Sequence, residues 1–162
     1  MKKRIFIAIH YLEIGGAEIS LIGLLNAIDR ELYDVDLFLY SHRGELLKQV
    51  PDKINLLPEI KKYDVIEKPI KEAIQKGFPD IALARLWAKY QFARYAKKNQ
   101  LKEGSAILQY VFDAVTPLLP DINPNTEYDL AISFLTPHNI VLNKVKAKKS
   151  SHGFIQITPK SV

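Results

Sequence analysis

The segment from Arg4 to Ile28 constrains the fold of this chain more than any other. It begins with Ile5-Phe6-Ile7-Ala8-Ile9, a continuous apolar, largely β-branched run of the kind a strand needs when both faces of a parallel sheet are covered. The run gives way to Gly15-Gly16, where the missing Cβ lets other atoms approach the main chain. Beyond the glycines, Ile19, Ile22 and Leu25, with Asn26 or Ile28, recur near a 3.6-residue period and predict a helix. A strand, a glycine turn and a helix in this order bring free amide groups and the positive end of a helix dipole to the carboxyl edge of a sheet. Open α/β sheets bind their ligands at that edge.

The turn is neither the dinucleotide fingerprint G-x-G-x-x-G nor a P-loop, since no Gly-Lys-Ser/Thr follows. It suits a tight structural turn as well as an anion cradle. Glu18 falls in the first turn of the helix, where its carboxylate favours the dipole and competes with an anionic ligand for the same amides.

The pattern then repeats. Tyr33–Tyr40 alternates and turns apolar, predicting a second strand that ends in the turn Ser41-His42-Arg43-Gly44. Glu45–Val50 is a short helix stopped by Pro51, and Lys53–Leu57 a third strand closed by Pro58. This β-α-β-α-β order is that of a doubly wound half-sheet. The alternation stops over about 63–120, where apolar spacing predicts a helical insertion rather than a linker. One helix follows Pro69, one runs from Pro79-Asp80, and one carries Ile107, Leu108, Val111, Phe112 and Val115 behind an N-cap at Ser105. Tyr128–Leu135 restores the buried-strand pattern, Thr136–Asn139 is a turn, Ile140–Val145 a helix and His152–Ile157 a last strand. The fold class is therefore α/β: a Rossmann-like, mostly parallel sheet of five or more strands, helices on both faces, one domain over 1–162.

The helix from Asp80 to Lys98 holds two sets of apolar residues. Leu83, Leu86, Trp87 and Tyr90 form the stripe expected to bury it. Phe92 and Tyr95 lie off that stripe among Arg85, Lys89, Arg94, Lys97 and Lys98, either packed on neighbouring inserted helices or facing an anionic membrane surface.

Composition excludes several classes. Hydrophobic residues make up 48 % of the chain, too many for disorder. Cysteine is absent, which removes disulfides and thiolate metal sites and fits a reducing cytoplasm. No H-E-x-x-H, EF-hand spacing or G-x-S-x-G elbow occurs, so neither a metal site nor a hydrolase is expected. The net charge of +5 suits either a lysine-rich solvated surface or an anionic partner. No nucleic-acid-binding signature accompanies it, so that partner is not nucleic acid. Asp34 and Asp36 alternate on the second strand and are expected to face solvent.

Taken in order, Gly15-Gly16-Ala17-Glu18, Ser41-His42-Arg43-Gly44-Glu45-Leu46, Tyr128–Leu135 and the basic turn Ala147-Lys148-Lys149 give the chain its likeness. It resembles the amino-terminal, acceptor-side domain of a family 4 glycosyltransferase of GT-B architecture, outside the helical insertion. The resemblance implies half of a retaining enzyme that moves a sugar from a nucleotide-sugar to a glycan or lipid-linked acceptor in polysaccharide biosynthesis. It implies that a carboxy-terminal nucleotide-sugar domain is missing from this sequence, and that these residues alone are inactive. It also implies no cofactor beyond the donor substrate, and a cytoplasmic location, free or peripheral on the inner membrane face.

Carried over by position, Gly15 and Gly16 would form the loop facing the donor diphosphate. His10, Glu18, Thr136 and His138 become candidate cleft contacts, with His138 falling late relative to the histidine some family members place after the core strand. His42 and Arg43 are expected in a solvated loop. The resemblance names no catalytic residue. The alternative is a stand-alone, non-catalytic binding or sensory module of flavodoxin-like type.

Overall fold

The computed structural model describes residues 2–99 and 107–153. Five strands form one all-parallel sheet: β1 (Lys3–Ile9), β2 (Tyr33–Leu39), β3 (Asn55–Leu56), β4 (Leu130–Phe134) and β5 (Ser150–Gly153). Their spatial order is β3-β2-β1-β4-β5, which is Rossmann-like and places β1 at the centre. A flavodoxin-like sheet would exchange neighbours into the order 2-1-3-4-5, so the alternative topology does not describe this chain.

Alternation along the strands sorts the core into two layers. Phe6, Ala8, Phe38, Tyr40 and Ala131 project to one face, where α2 (Lys61–Asp64), α3 (Ile70–Gln75), α5 (Ile107–Val115) and α6 (His138–Lys144) cover them. Ile7, Ile9, Leu37, Leu39 and Phe134 project to the other, against Leu21, Ile22 and Leu25 of α1 (Gly16–Ala27) and Leu46 of the 3-10 turn Glu45–Gln49. Phe6, Ile7, Ala8 and Ile9 are each at most 1 % exposed, and complete burial of a large apolar side chain stabilises by about 1.5–3 kcal/mol. Leu21 takes the inward place expected of Ile19, which is exposed.

Polar devices close the seams. Arg30 donates to the carbonyls of Leu25 and Ile28 at the end of α1 and to Lys53 O before β3. Asp36 is only partly exposed and is engaged by neighbours rather than left to solvent. It accepts hydrogen bonds from Tyr128 (2.5 Å), Asn55 (2.7 Å) and Asn123 (3.3 Å), joining β2 to β3 and to the segment before β4. Asp34 stays exposed, 3.8 Å from Lys2.

The long helix α4 (Pro79–Asn99) packs on α5 and α3. It reverses the expected faces. Ile81, Ala82, Arg85, Ala88 and Phe92 are buried, whereas Leu83, Leu86, Trp87 and Tyr90 are exposed. The small Ala82 and Ala88 let the helices approach closely, and Phe92 meets Tyr110 of α5 edge-on, with centroids 5.7 Å apart. The Ser105 cap and the end of the predicted last strand, 154–157, lie outside the described residues.

The turn after β2 depends on Gly44. Its φ of +110° is left-handed, and a Cβ there would lie 2.1 Å from Leu12 C and O. Gly77, at φ +86°, has open space around the same position. Urea denaturation should therefore show Gly44→Ala losing about 2–4 kcal/mol, from strain plus a clash with backbone. Gly77→Ala should lose only the conformational term of about 1–2 kcal/mol.

Candidate functional site

The strand exits of β1 and β2 are hydrogen-bonded into one rim. Tyr40 N donates to Ile9 O (3.1 Å), Ser41 N to His10 O (2.9 Å), Leu12 N to Arg43 O (3.0 Å) and Leu46 N to Leu12 O (2.9 Å). Gly44 permits this contact, because its missing side chain is where the Leu12 main chain passes. Opposite the rim stands the α2–α3 segment. Buried Arg85 of α4 holds it by donating to Val65 O (3.2 Å) and Lys68 O (2.5 Å). Between rim and segment lies an open cleft of about 240 Å³ at the carboxyl edge of the sheet, walled by His10, Tyr11, Arg43, Asp64, Glu67 and Glu72 with Tyr40 and Tyr63 at its base.

Charge in the cleft is organised as a His10–Glu67 pair and a cluster in which Lys68 and Lys76 bridge Asp64 and Glu72. His10 Nδ1 lies 2.8 Å from Glu67 Oε1, at an angle short of an aligned hydrogen bond. The His10 ring meets Tyr40 edge-on at 5.0 Å and Phe112 at 6.2 Å, which fixes its plane. Burial acts to raise the Glu67 carboxyl, but contact with His10 and the charges of Arg43 and Arg85 outweigh it and hold the group below its usual range. Deeper, the buried Asp64 carboxylate accepts from Lys68 (2.6 Å) and Lys76 (3.0 Å). Burial again acts upward, and the lysine hydrogen bonds, led by Lys68, bring Asp64 below its usual value.

Tyrosines supply the floor. Tyr63 donates to Pro120 O (2.8 Å) and stands edge-on to Phe38. Tyr40 is 2 % exposed and its hydroxyl has no aligned hydrogen-bond partner. Burial pushes both phenols well above their ordinary range, so both stay neutral donors. Arg43 lays its guanidinium 4.3 Å over the Tyr11 ring at the mouth.

The residues singled out from sequence separate into three groups. His10 enters the cleft. Arg43, expected in a solvated loop, also lines it, while His42 is tied down through Nε2 to Leu57 O (3.1 Å). Gly15 caps α1 and Gly16 opens it at the same sheet edge, but the Glu18 carboxylate folds back against Gly15. A Cβ built on Gly15 would lie 2.2 Å from Glu18 Oε2. Glu18 thus sits where an anion would approach the helix end. Thr136 is 1 % exposed and lies beneath the surface near Tyr40, and His138 opens α6 with its Nδ1 2.9 Å from the Ser133 hydroxyl.

Asp64, Glu67, Tyr40 and Tyr63 were not legible as site residues. One signal was present: Asp64 interrupts the otherwise apolar Tyr63-Asp64-Val65-Ile66, and a carboxylate in a buried run needs cationic partners. Among the described residues no group of histidines, aspartates and glutamates could hold a metal ion, and no helix is long and apolar enough to cross a membrane. No known family profile, curated protein or solved structure matches the chain.

The depressed carboxyls set the sign of the pH response. A folded-state value below the unfolded one contributes stability that is present above the unfolded value and lost as pH falls through the folded one. The midpoint of urea unfolding should therefore drop as pH falls below about 3.8, the usual aspartate value. Asp64→Asn should be less stable at neutral pH, because Lys68 and Lys76 lose their buried carboxylate and keep only the more exposed Glu72, and should show a shallower acid response. An unchanged acid slope in that variant would remove Asp64 as its source.

Proposed function

We propose that this chain is the acceptor-side wall of a retaining glycosyltransferase of GT-B type, holding a hydroxyl-rich acceptor in the cleft between the β1–β2 rim and the α2–α3 segment. The observation that carries this reading is the cleft itself, at the carboxyl edge of a sheet with Rossmann-like strand order. Its chemistry suits sugars. Carboxylates of Glu67 and Glu72 accept hydroxyl hydrogen bonds, and Lys68 and Arg43, the latter stacked on Tyr11, donate them. At about 240 Å³ the cleft falls below the roughly 300–1,000 Å³ of complete small-molecule sites, as expected of one wall of a two-walled site.

In this reading the chain's own residues bind and orient. Glu67 steadies His10 beside the acceptor, and the neutral Tyr40 and Tyr63 give the floor its shape. Glu18 stands beside Gly15 at the helix end and swings aside when an anionic donor group arrives. Sugar transfer needs the opposite wall to exclude water and align the reactants. The resemblance assigns that wall, with the nucleotide-sugar contacts, to a second domain.

Backbone amide NMR with a panel of oligosaccharides and prenyl-phosphate sugars tests the reading. Shifts should cluster on His10, Tyr11, Ser41, Arg43 and Glu67, and Glu67→Ala should weaken the responding ligand about tenfold, the loss of roughly 1.4 kcal/mol. Absence of any response in the cleft would remove the acceptor role. Turnover of a nucleotide-sugar by the 162-residue chain alone would overturn the assignment of half a cleft.

A further inference from the structure

The outward face of α4 carries a row of large exposed side chains. Leu83, Leu86, Trp87 and Tyr90 are 66, 48, 57 and 53 % exposed, and spacings of three and four residues align them on one line along the helix. The buried residues Ile81, Arg85, Ala88 and Phe92 occupy the opposite side. Four large side chains in a continuous exposed row are uncommon on a surface with nothing to meet.

The same line continues as positive charge. Arg94, Lys97 and Lys98 follow Tyr90 at helical spacing and are all exposed, and the described residues of α4 contain a single acidic side chain, Asp80, in the first turn. Arg94 lies 5.8 Å over the Tyr90 ring, and Tyr90 and Trp87 pack with centroids 5.7 Å apart. The face thus presents aliphatic groups, then two aromatic rings with polar edges, then cations. A protein partner would have to bury those cations against matched acids, whereas a lipid surface meets them with phosphate and takes the rings at headgroup depth.

We propose that the outward face of α4 docks the protein onto an anionic bilayer surface, lying in the interface without crossing it. Leu83 and Leu86 enter the acyl boundary, Trp87 and Tyr90 sit at the headgroups, and Arg94, Lys97 and Lys98 meet lipid phosphate. This surface is separate from the cleft and stands or falls without it.

Trp87 is the chain's one tryptophan, so its fluorescence reports on this face alone. With vesicles of equal phosphatidylglycerol and phosphatidylcholine, Trp87 emission should shift to the blue and the protein should co-sediment, less so as salt rises. Phosphatidylcholine alone should bind it weakly. Leu83→Ser/Leu86→Ser should abolish the shift. Lys97→Glu/Lys98→Glu should weaken binding by about tenfold or more, since each basic residue near the surface contributes on the order of 1 kcal/mol. Lys48→Glu/Lys53→Glu, exposed elsewhere and equal in charge change, should bind as the parent does. Circular dichroism confirms folding of each variant. Equal loss in both charge-reversal variants would reduce the effect to net charge and overturn the proposal. So would a protein that stays in the supernatant at low salt, or a blue shift that grows with protein concentration without vesicles, the signature of a second copy on this face.

Discussion

A parallel sheet covered on both faces buries its central strand from two sides, and the last four residues of β1 meet this with Phe6 and Ala8 on one side and Ile7 and Ile9 on the other. Everything else in the fold is arranged to cover those two rows. One side needs only α1 and a short 3-10 turn. The other carries four helices packed on the sheet, with α4 on the outside of α3 and α5. The inserted helices are therefore structural cover first, and they bring Asp64 and Glu67 to the ligand edge as they cross it.

The candidate site follows from how the strand exits are held. Hydrogen bonds between the β1 and β2 exits, possible because Gly44 leaves room for Leu12, make the rim a fixed wall. The facing segment is fixed differently, by a buried guanidinium bonding two carbonyls that would otherwise go unpaired. Rigid walls with charged groups between them suit recognition, since little order is lost on binding. Glu18 beside Gly15 is the exception: the carboxylate favours the dipole in the free protein and must move for an anion to enter.

The two surfaces with unspent chemistry lie on different elements. The cleft belongs to strand exits and the α2–α3 segment, while the apolar and cationic line belongs to α4 alone. Arg85 links them physically. It sits on the inner side of α4 and anchors the segment that carries Glu67.

Much of the architecture was legible from residues alone. The apolar runs of β1, β2 and β4, the glycine turn and the helical insertion all follow from patterns of period two and 3.6, because burial on one or both faces imposes those periods locally. Period could not say which of two apolar stripes on α4 faces inward. That was decided by Ala82 and Ala88 allowing close approach to α5 and α3, and by Phe92 finding Tyr110. Nor could it show that Asp36 would be shared by Tyr128 and Asn123, 92 and 87 residues away. The site divides in the same way. His10 stood at a strand end and was marked by position, whereas Glu67 and Asp64 became site residues only when the chain brought them to His10 and to Lys68 and Lys76. A sequence determines which residues must be buried and with what local period, because that depends on near neighbours. Which charged groups meet across the sheet edge depends on long-range packing, and only the tertiary structure decides it.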